Sequence, residues 1–108
     1  MEIRIGDLRH RLVLEQPVRV VDDSGGAEQS WVTVEELWAA VRPVSGQERE
    51  VSDQLAGRIT HEIWVRHRTG VKPEMRFRSG QRVFEVHAVI DVAERKRFLR
   101  CLAEERDL

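Results

Sequence analysis

Apolar and polar residues alternate along most of this chain with a period of two. In segment 59–68, branched apolar residues recur on one side as Ile59, Ile63 and Val65, and polar residues fill most positions between them. Segment 82–92 repeats the pattern. A period of two places successive side chains on opposite faces of an extended strand. The pattern therefore predicts a mainly β protein with strands that are apolar on one face.

Turn residues divide the sequence into about six such strands. They are predicted at 10–21, 31–44, 59–68, 75–78, 82–92 and 97–103. Segment 22–30 has no periodicity and contains a glycine pair, so it is predicted as a long hairpin loop, and the polar tail 104–108 is predicted to fray. Closure of a sheet removes its exposed edges. We therefore predict a small antiparallel β-barrel, and the length of 108 residues fits a single domain, 1–108.

One segment departs from the period of two. Ser45 and Glu48 are three residues apart, as in a capping box at a helix N-terminus. Val51 and Leu55 are four apart and form a narrow apolar stripe, and Gly57 follows as a stop signal. The segment predicts one short α-helix of about ten residues.

The charge of the chain is nearly balanced but unevenly distributed. Its 18 basic and 19 acidic residues give a net charge of −1, which argues against general nucleic-acid binding. Residues 1–65 carry 7 basic and 12 acidic side chains, and residues 66–108 carry 11 and 7. Either the acidic flank of one copy attracts the basic flank of the next, or the two halves interleave in space and their fields cancel.

The residues that usually carry chemistry are not arranged for it. His61 and His67 share a strand face, but they are separated by about 20 Å at the rise of a strand. The single cysteine, Cys101, lies in a predicted strand and is expected to be a small buried residue. The sequence has neither a G-x-S-x-G nor a phosphate-loop motif. We expect no enzyme activity, metal or cofactor, and the short apolar runs predict no membrane span.

Basic residues concentrate in segment 66–82, and three tryptophans occur elsewhere in the chain. Trp31 and Trp64 could stack bases beside these arginines, as in a small single-stranded nucleic-acid-binding barrel. The alternatives are contact with an acidic protein and a solvated face. Trp38, among small apolar residues, is expected in the core, whereas Trp64 is a candidate interface anchor.

Several short motifs follow one another along almost the whole chain. They are Gly6-x-Leu8-Arg9-His10-Arg11-Leu12, Gly25-Gly26, Trp31, Leu37-Trp38-Ala39-Ala40-Val41-Arg42-Pro43, Ser45-Gly46-Gln47-Glu48, Ile63-Trp64-Val65-Arg66-His67-Arg68, Val71-Lys72-Pro73-Glu74-Met75-Arg76-Phe77, Phe84-Glu85-Val86 and Leu99-Arg100-Cys101-Leu102-Ala103-Glu104. As an ordered set they resemble the tailed-phage head–tail joining family, also called head closure or stopper proteins. Related proteins occur in phages, prophages and gene transfer agents.

The resemblance implies a structural virion protein, made in the bacterial host cytoplasm, that assembles with itself into a ring at the head–tail junction. Such a ring extends the DNA channel below the portal and adaptor proteins and retains the packaged DNA. It also offers a docking surface to tail terminator or tail tube proteins. Double-stranded DNA would pass through it without sequence-specific binding. An alternative function is a small barrel, like an oligonucleotide-binding fold, that binds single strands.

A ring requires two different contact patches on each subunit. The basic side is predicted at Arg66, Arg68, Arg76 and Arg78. The acidic side, or the channel lumen, is predicted at Asp22, Asp23, Glu28, Glu48, Glu50 and Asp53. Because a channel for DNA should not grip phosphates, either the 22–30 loop or the predicted helix is expected to face the lumen.

Overall fold

Six antiparallel strands close into a barrel in the computed structural model, which describes residues 3–44 and 58–106. The strands are β1 (His10–Val21), β2 (Ala27–Pro43), β3 (His61–Arg66), β4 (Arg76–Ser79), β5 (Arg82–Asp91) and β6 (Phe98–Arg106). Their order around the barrel is β1-β2-β3-β6-β5-β4, and β4 pairs back onto β1. The prediction of a mainly β barrel with about six strands is confirmed.

Two strands are longer than predicted. β2 begins inside the predicted 22–30 loop, because Ala27–Ser30 pair with Val18–Val21 of β1. The turn is thereby reduced to residues 22–26. β6 includes residues 104–106, which were predicted to fray, because they pair with the first residues of β5. Both predictions were wrong because pairing with a neighbouring strand orders polar residues that carry no periodic signal of their own.

The inward faces of the strands form one apolar core. Its largest fully buried side chains are Phe77, Phe84, Leu12, Leu14, Ile59, Ile63, Val65, Val86 and Cys101. The predicted alternation in 59–65 places Ile63 and Val65 together in this core, and Ile59 on the same side is also buried, as found. The core is therefore built largely from the positions that a period of two selects. In β5 a bulge between Val86 and Ala88 shifts the alternation, so that Val89, predicted on the opposite face from Phe84, packs against the core.

A second apolar cluster lies outside the barrel wall. Trp64 is only 5% exposed because Ile3, Leu8 and Phe98 pack with it. Trp38, on the outer face of β2, is 52% exposed. Both tryptophan predictions were therefore wrong: Trp38, expected in the core, is exposed, and Trp64, expected as an interface anchor, is buried. Strand parity turns Trp38 outward between two inward neighbours, and the N-terminal segment covers Trp64.

In the described ranges, the helical structure consists of two short 3₁₀ turns, Ile5–Asp7 and Val92–Glu94. The predicted α-helix, with Glu48, Glu50 and Asp53, lies outside the described residues. Neither turn in 3–44 or 58–106 has the length or apolar character of a membrane-spanning helix.

The β1–β2 hairpin continues past the barrel as a two-stranded arm, Gln16–Val32. In the described part of the chain, β1 pairs with β4 only at Val13–Glu15, and β2 pairs with β3 only at Ala39–Pro43. From Gln16 and Val32 to the turn, the two strands pair only with each other, over six residue pairs. At the rise of a strand this arm is about 20 Å long. It accounts for much of the elongated shape, 50 × 29 × 26 Å.

Candidate functional site

Two of the arginines predicted for a basic side meet on a buried acid. Glu15 lies on the outer face of β1 and is only 6% exposed. Its two carboxylate oxygens accept hydrogen bonds from Arg76 Nε at 2.7 Å and Arg78 Nε at 3.1 Å. Burial raises the pKa of Glu15, but the hydrogen bonds and charges of the two guanidinium groups together outweigh burial and lower it. Arg76 and Arg78 are therefore held within the subunit by this acid.

Trp31 extends the same cluster. The Arg76 guanidinium lies 4.0 Å from the centre of the Trp31 ring, in a cation–π contact. One face of Trp31 is thus covered by Arg76, and Trp64 is buried under the N-terminal segment. The base-stacking platform expected of a nucleic-acid-binding barrel is consequently not assembled from these two rings.

The remaining predicted arginines lie at the end of β3. Arg68 pairs with Glu35 of β2. Arg66 is exposed and forms no ion pair with any residue in the described part of the chain. Glu15 and Glu35 come from the acidic half of the sequence and their partners from the basic half. The interleaving of the two halves, one of the alternatives left open above, therefore holds for these residues.

An apolar groove lies between the N-terminal 3₁₀ turn, β2 and the end of β3. It has a volume of about 720 Å³, and its lining includes Ile5, Leu8 and Trp38 with Arg9 and Arg66 at its border. Periodicity did not predict this groove, because three segments far apart in the sequence form it. The exposed parity of Trp38, opposite inward-facing Leu37 and Ala39, is the one local signal that could have found it.

The tip of the arm is acidic, whereas the border of the groove is basic. Asp22, Asp23 and Glu28, the described residues among those predicted for an acidic side, are all exposed there. Next to them, Val20 and Val21 are 51% and 76% exposed. The tip therefore combines acidic and apolar side chains on one short ribbon.

The tip has a defined conformation that depends on one of these acids. Asp22 Oδ1 accepts hydrogen bonds from the backbone amides of Ser24, at 2.9 Å, and Gly26, at 2.8 Å. Gly25 adopts a φ of +81°, which glycine tolerates best. Asp23 accepts no hydrogen bond from the described residues. Of the two adjacent aspartates, Asp22 is thus structural and Asp23 is available to a partner.

One cluster of described residues has the side chains of a candidate metal site. Glu85, His87 and Glu104 bring potential ligand atoms within 4.8 Å of one another. His87 Nε2 lies 2.9 Å from Glu104 Oε1, and the hydrogen bond from His87 is the main reason that the pKa of Glu104 is lowered. Arg106 approaches both glutamates to 3.7 Å. A divalent cation would have to displace these partners, so the cluster is accounted for as an ion-pair network.

The single cysteine thiol is buried and unreactive. Cys101 is fully buried in the barrel core, and burial raises its pKa to about 12. Because the thiolate is the reactive form, this side chain is inert in the folded protein. The expectation that Cys101 is a small buried residue is confirmed.

Comparison with known proteins identifies the relatives of this barrel. The sequence model of the phage head completion protein family matches residues 3–106. The solution structure of protein SF1141 from Shigella flexneri 2a is similar, with 27% identity and a TM-score of 0.73, over 95% of this chain and 96% of that chain. A chain of the native gene transfer agent virion particle has 34% identity and a TM-score of 0.68, over 92% of this chain and 96% of that chain. Comparison with curated proteins gives no match.

The family match and the two structural relatives each cover nearly the whole chain. The resemblance drawn from the ordered motifs is therefore confirmed, and so is its association with gene transfer agents and virions. The chain belongs to the phage head completion protein family and is a structural protein of a phage-like virion.

Proposed function

We propose that this protein forms a homo-oligomeric ring at the head–tail junction. There it extends the DNA channel below the portal and adaptor proteins, retains packaged DNA, and offers a surface on which tail terminator or tail tube proteins dock. Membership of the phage head completion family over residues 3–106 is the observation that carries this proposal. The similarity to a chain of a gene transfer agent virion supports it.

The surface of the subunit is consistent with a ring. Identical subunits that meet head to tail require two different patches that complement each other. The groove with Arg66 at its border and the acidic tip of the arm are two such patches. We assign the basic side of the subunit contact to the arginines at the end of β3 and on β4, namely Arg66, Arg68, Arg76 and Arg78. Arg66 contributes most to it, since the other three already pair with Glu35 or Glu15.

The acidic residues suit a passage for DNA. Every phosphate that a protein neutralises adds affinity, so basic side chains in a channel would hold the DNA back. We assign Asp22, Asp23, Glu28, Glu48, Glu50 and Asp53 to the acidic side of the contact or to the lumen. The ring then acts without catalysis, and the buried thiol of Cys101 and the paired clusters described above are consistent with that role.

The test is complementation in a host that makes the particles but lacks this gene. Electron microscopy of the deletion should show heads that have lost DNA and free tails that are not joined, and the native gene should restore joined, DNA-filled particles. Reversal of Arg66 and Arg68 to Glu should leave the protein folded, as judged by circular dichroism, and abolish joining. Arg95→Glu, at an exposed turn outside the groove, is the matched control. Joined particles at normal yield in the deletion would contradict the proposal.

A further inference from the structure

The apolar groove with its basic border and the acidic, partly apolar arm tip complement each other in charge and in apolar surface. We propose that the tip of the arm of one subunit docks into the apolar groove of a second copy of this chain. The inference rests on the proposed ring and specifies its subunit contact. The occupant is residues 20–28 of the neighbouring copy.

The groove presents apolar surface that a partner would remove from water. Ile5 and Trp38 are both more than half exposed, and Leu8 lies beside them. Exposed apolar patches bordered by polar residues mark interaction sites, and tryptophan and arginine are the residue types most enriched at interface hot spots. Trp38, held by Arg11 at 5.0 Å from its ring centre, is a preorganised anchor.

The limited stability and exposed apolar residues of the arm also favour contact with a partner. A two-stranded ribbon outside a sheet is marginally stable in water, and the tip of this arm lies beyond the contact of Trp31 with Arg76 at its base. Val20 and Val21 point their apolar side chains into solvent at its end. Because successive strand residues face opposite sides, insertion into an apolar groove buries the valine on the inserted face and orders the ribbon.

Charge complementarity identifies the acidic tip as the segment that occupies the groove. Within the groove lining, Glu35 pairs with Arg68 and Glu36 pairs with Arg11, which leaves Arg9 and Arg66 in excess at the border. Residues 20–28 carry three acidic side chains, Asp22, Asp23 and Glu28, and no basic one. Opposite charges around an apolar contact fix the orientation of docking. Because the tip and the groove are different surfaces, the contact is head to tail and repeats around a ring.

Cysteine cross-linking in particles tests the contact directly. Val21→Cys places a thiol on the tip and Ile5→Cys places one in the groove, while the native Cys101 is buried and does not interfere. The doubly substituted protein is expressed in the deletion host, and purified particles are oxidised and run on a non-reducing gel. We expect a ladder of multimers of this chain. Val21→Cys with Arg95→Cys is the control pair and should give no ladder.

The outcomes separate this inference from the proposed function. The same gel run under reducing conditions reports whether the protein is present in the particles at all. If joined particles made with the native protein did not contain it, the proposed function would be contradicted. Incorporation without a ladder overturns the tip-in-groove contact alone. A cross-link from Val21→Cys to a different virion protein also overturns it, because the tip then serves another partner.

A charge reversal provides a second test that does not depend on introduced thiols. Arg66→Glu should lower the yield of joined particles about tenfold, as expected for loss of a close interfacial charge pair. Addition of Asp23→Arg should restore the yield to near the native level. Asp23 is chosen because Asp22 holds the turn. If the second substitution lowers the yield further, the two residues do not face each other across the contact.

Discussion

Glu15 illustrates how a single residue can lie where the alternation places it and still have an unexpected environment. It is on the outer face of β1, opposite Leu12 and Leu14, yet it is almost fully buried. The reason is that β4 brings Arg76 and Arg78 from more than 60 positions away along the chain. A carboxylate with two guanidinium partners satisfies the charge that burial would otherwise penalise.

Removal of this acid should destabilise the barrel. Glu15→Ala leaves two partly buried guanidinium groups without their anion, and breaking a buried pair in this way costs about 3 kcal/mol. We expect the free energy of unfolding in urea to fall by that amount. Glu15→Gln keeps a hydrogen-bond acceptor and should cost less. Equal stability of the Ala variant and the native protein would contradict the role assigned to the pair.

His61 predicts a pH dependence of stability. Burial lowers its pKa below the ordinary value of 6.5, and the nearby charge of Glu105 offsets this only in part. The folded state therefore binds fewer protons than the unfolded state, so stability is fully present above pH 6.5 and is lost as the pH falls below it. The melting temperature should drop between pH 7 and 5.5. In His61→Gln this drop should be smaller, and an unchanged pH profile would contradict the assignment.

Among the elements of the fold, the arm is the one that extends beyond the closed barrel. Its strands pair with each other over six residue pairs, and its turn is closed by the Asp22 carboxylate rather than by apolar packing. Local side-chain to backbone hydrogen bonds of this kind define a turn without a core. The Asp22 carboxylate thus defines the tip together with the backbone hydrogen bonds between Asp22 and residues 25–26.

Asp22→Ala should loosen the tip without affecting the barrel. Each of the two lost hydrogen bonds contributes about 1 kcal/mol, so protection of the Ser24 and Gly26 amides from hydrogen exchange should fall roughly tenfold. Exchange of core amides such as that of Phe77 should not change. Asp23→Ala is the matched control and should leave the tip amides as they are. A similar loss in the control would show that the turn does not depend on Asp22.

In the whole molecule, closure of the barrel joins the first strand to a strand from the second half of the chain. The seam between β1 and β4 consists of three residue pairs, Val13–Glu15 with Arg76–Arg78. β6, the last strand, lies between β3 and β5. Because every strand has two neighbours, no part of the barrel can unfold without opening the sheet elsewhere.

The chain should therefore unfold as one domain, 1–108. We expect the loss of β structure, followed by far-UV circular dichroism, and the change in tryptophan fluorescence to coincide in urea. Trp64 is a suitable reporter because it is buried between the barrel wall and the N-terminal segment. Two separate transitions would show that the chain contains more than one cooperative unit.

Local sequence patterns were enough to predict the number of strands and the class of fold. A period of two is a property of the backbone of a strand, so it selects inward residues such as Ile63 and Phe84 without any knowledge of their neighbours. The order of the motifs was also readable along the chain, and it led to the correct family. Both inferences depend only on residues close together in sequence.

Tertiary structure decided which outward-facing residues are covered and which remain available. Alternation places Trp38, Trp64 and Glu15 outside the barrel alike, but the N-terminal segment buries Trp64, β4 buries Glu15, and Trp38 stays exposed in a groove. The same cause separates Arg66, which remains exposed, from Arg76 and Arg78, which face an acid. The outer environment depends on segments distant in sequence, and no local pattern carries that information.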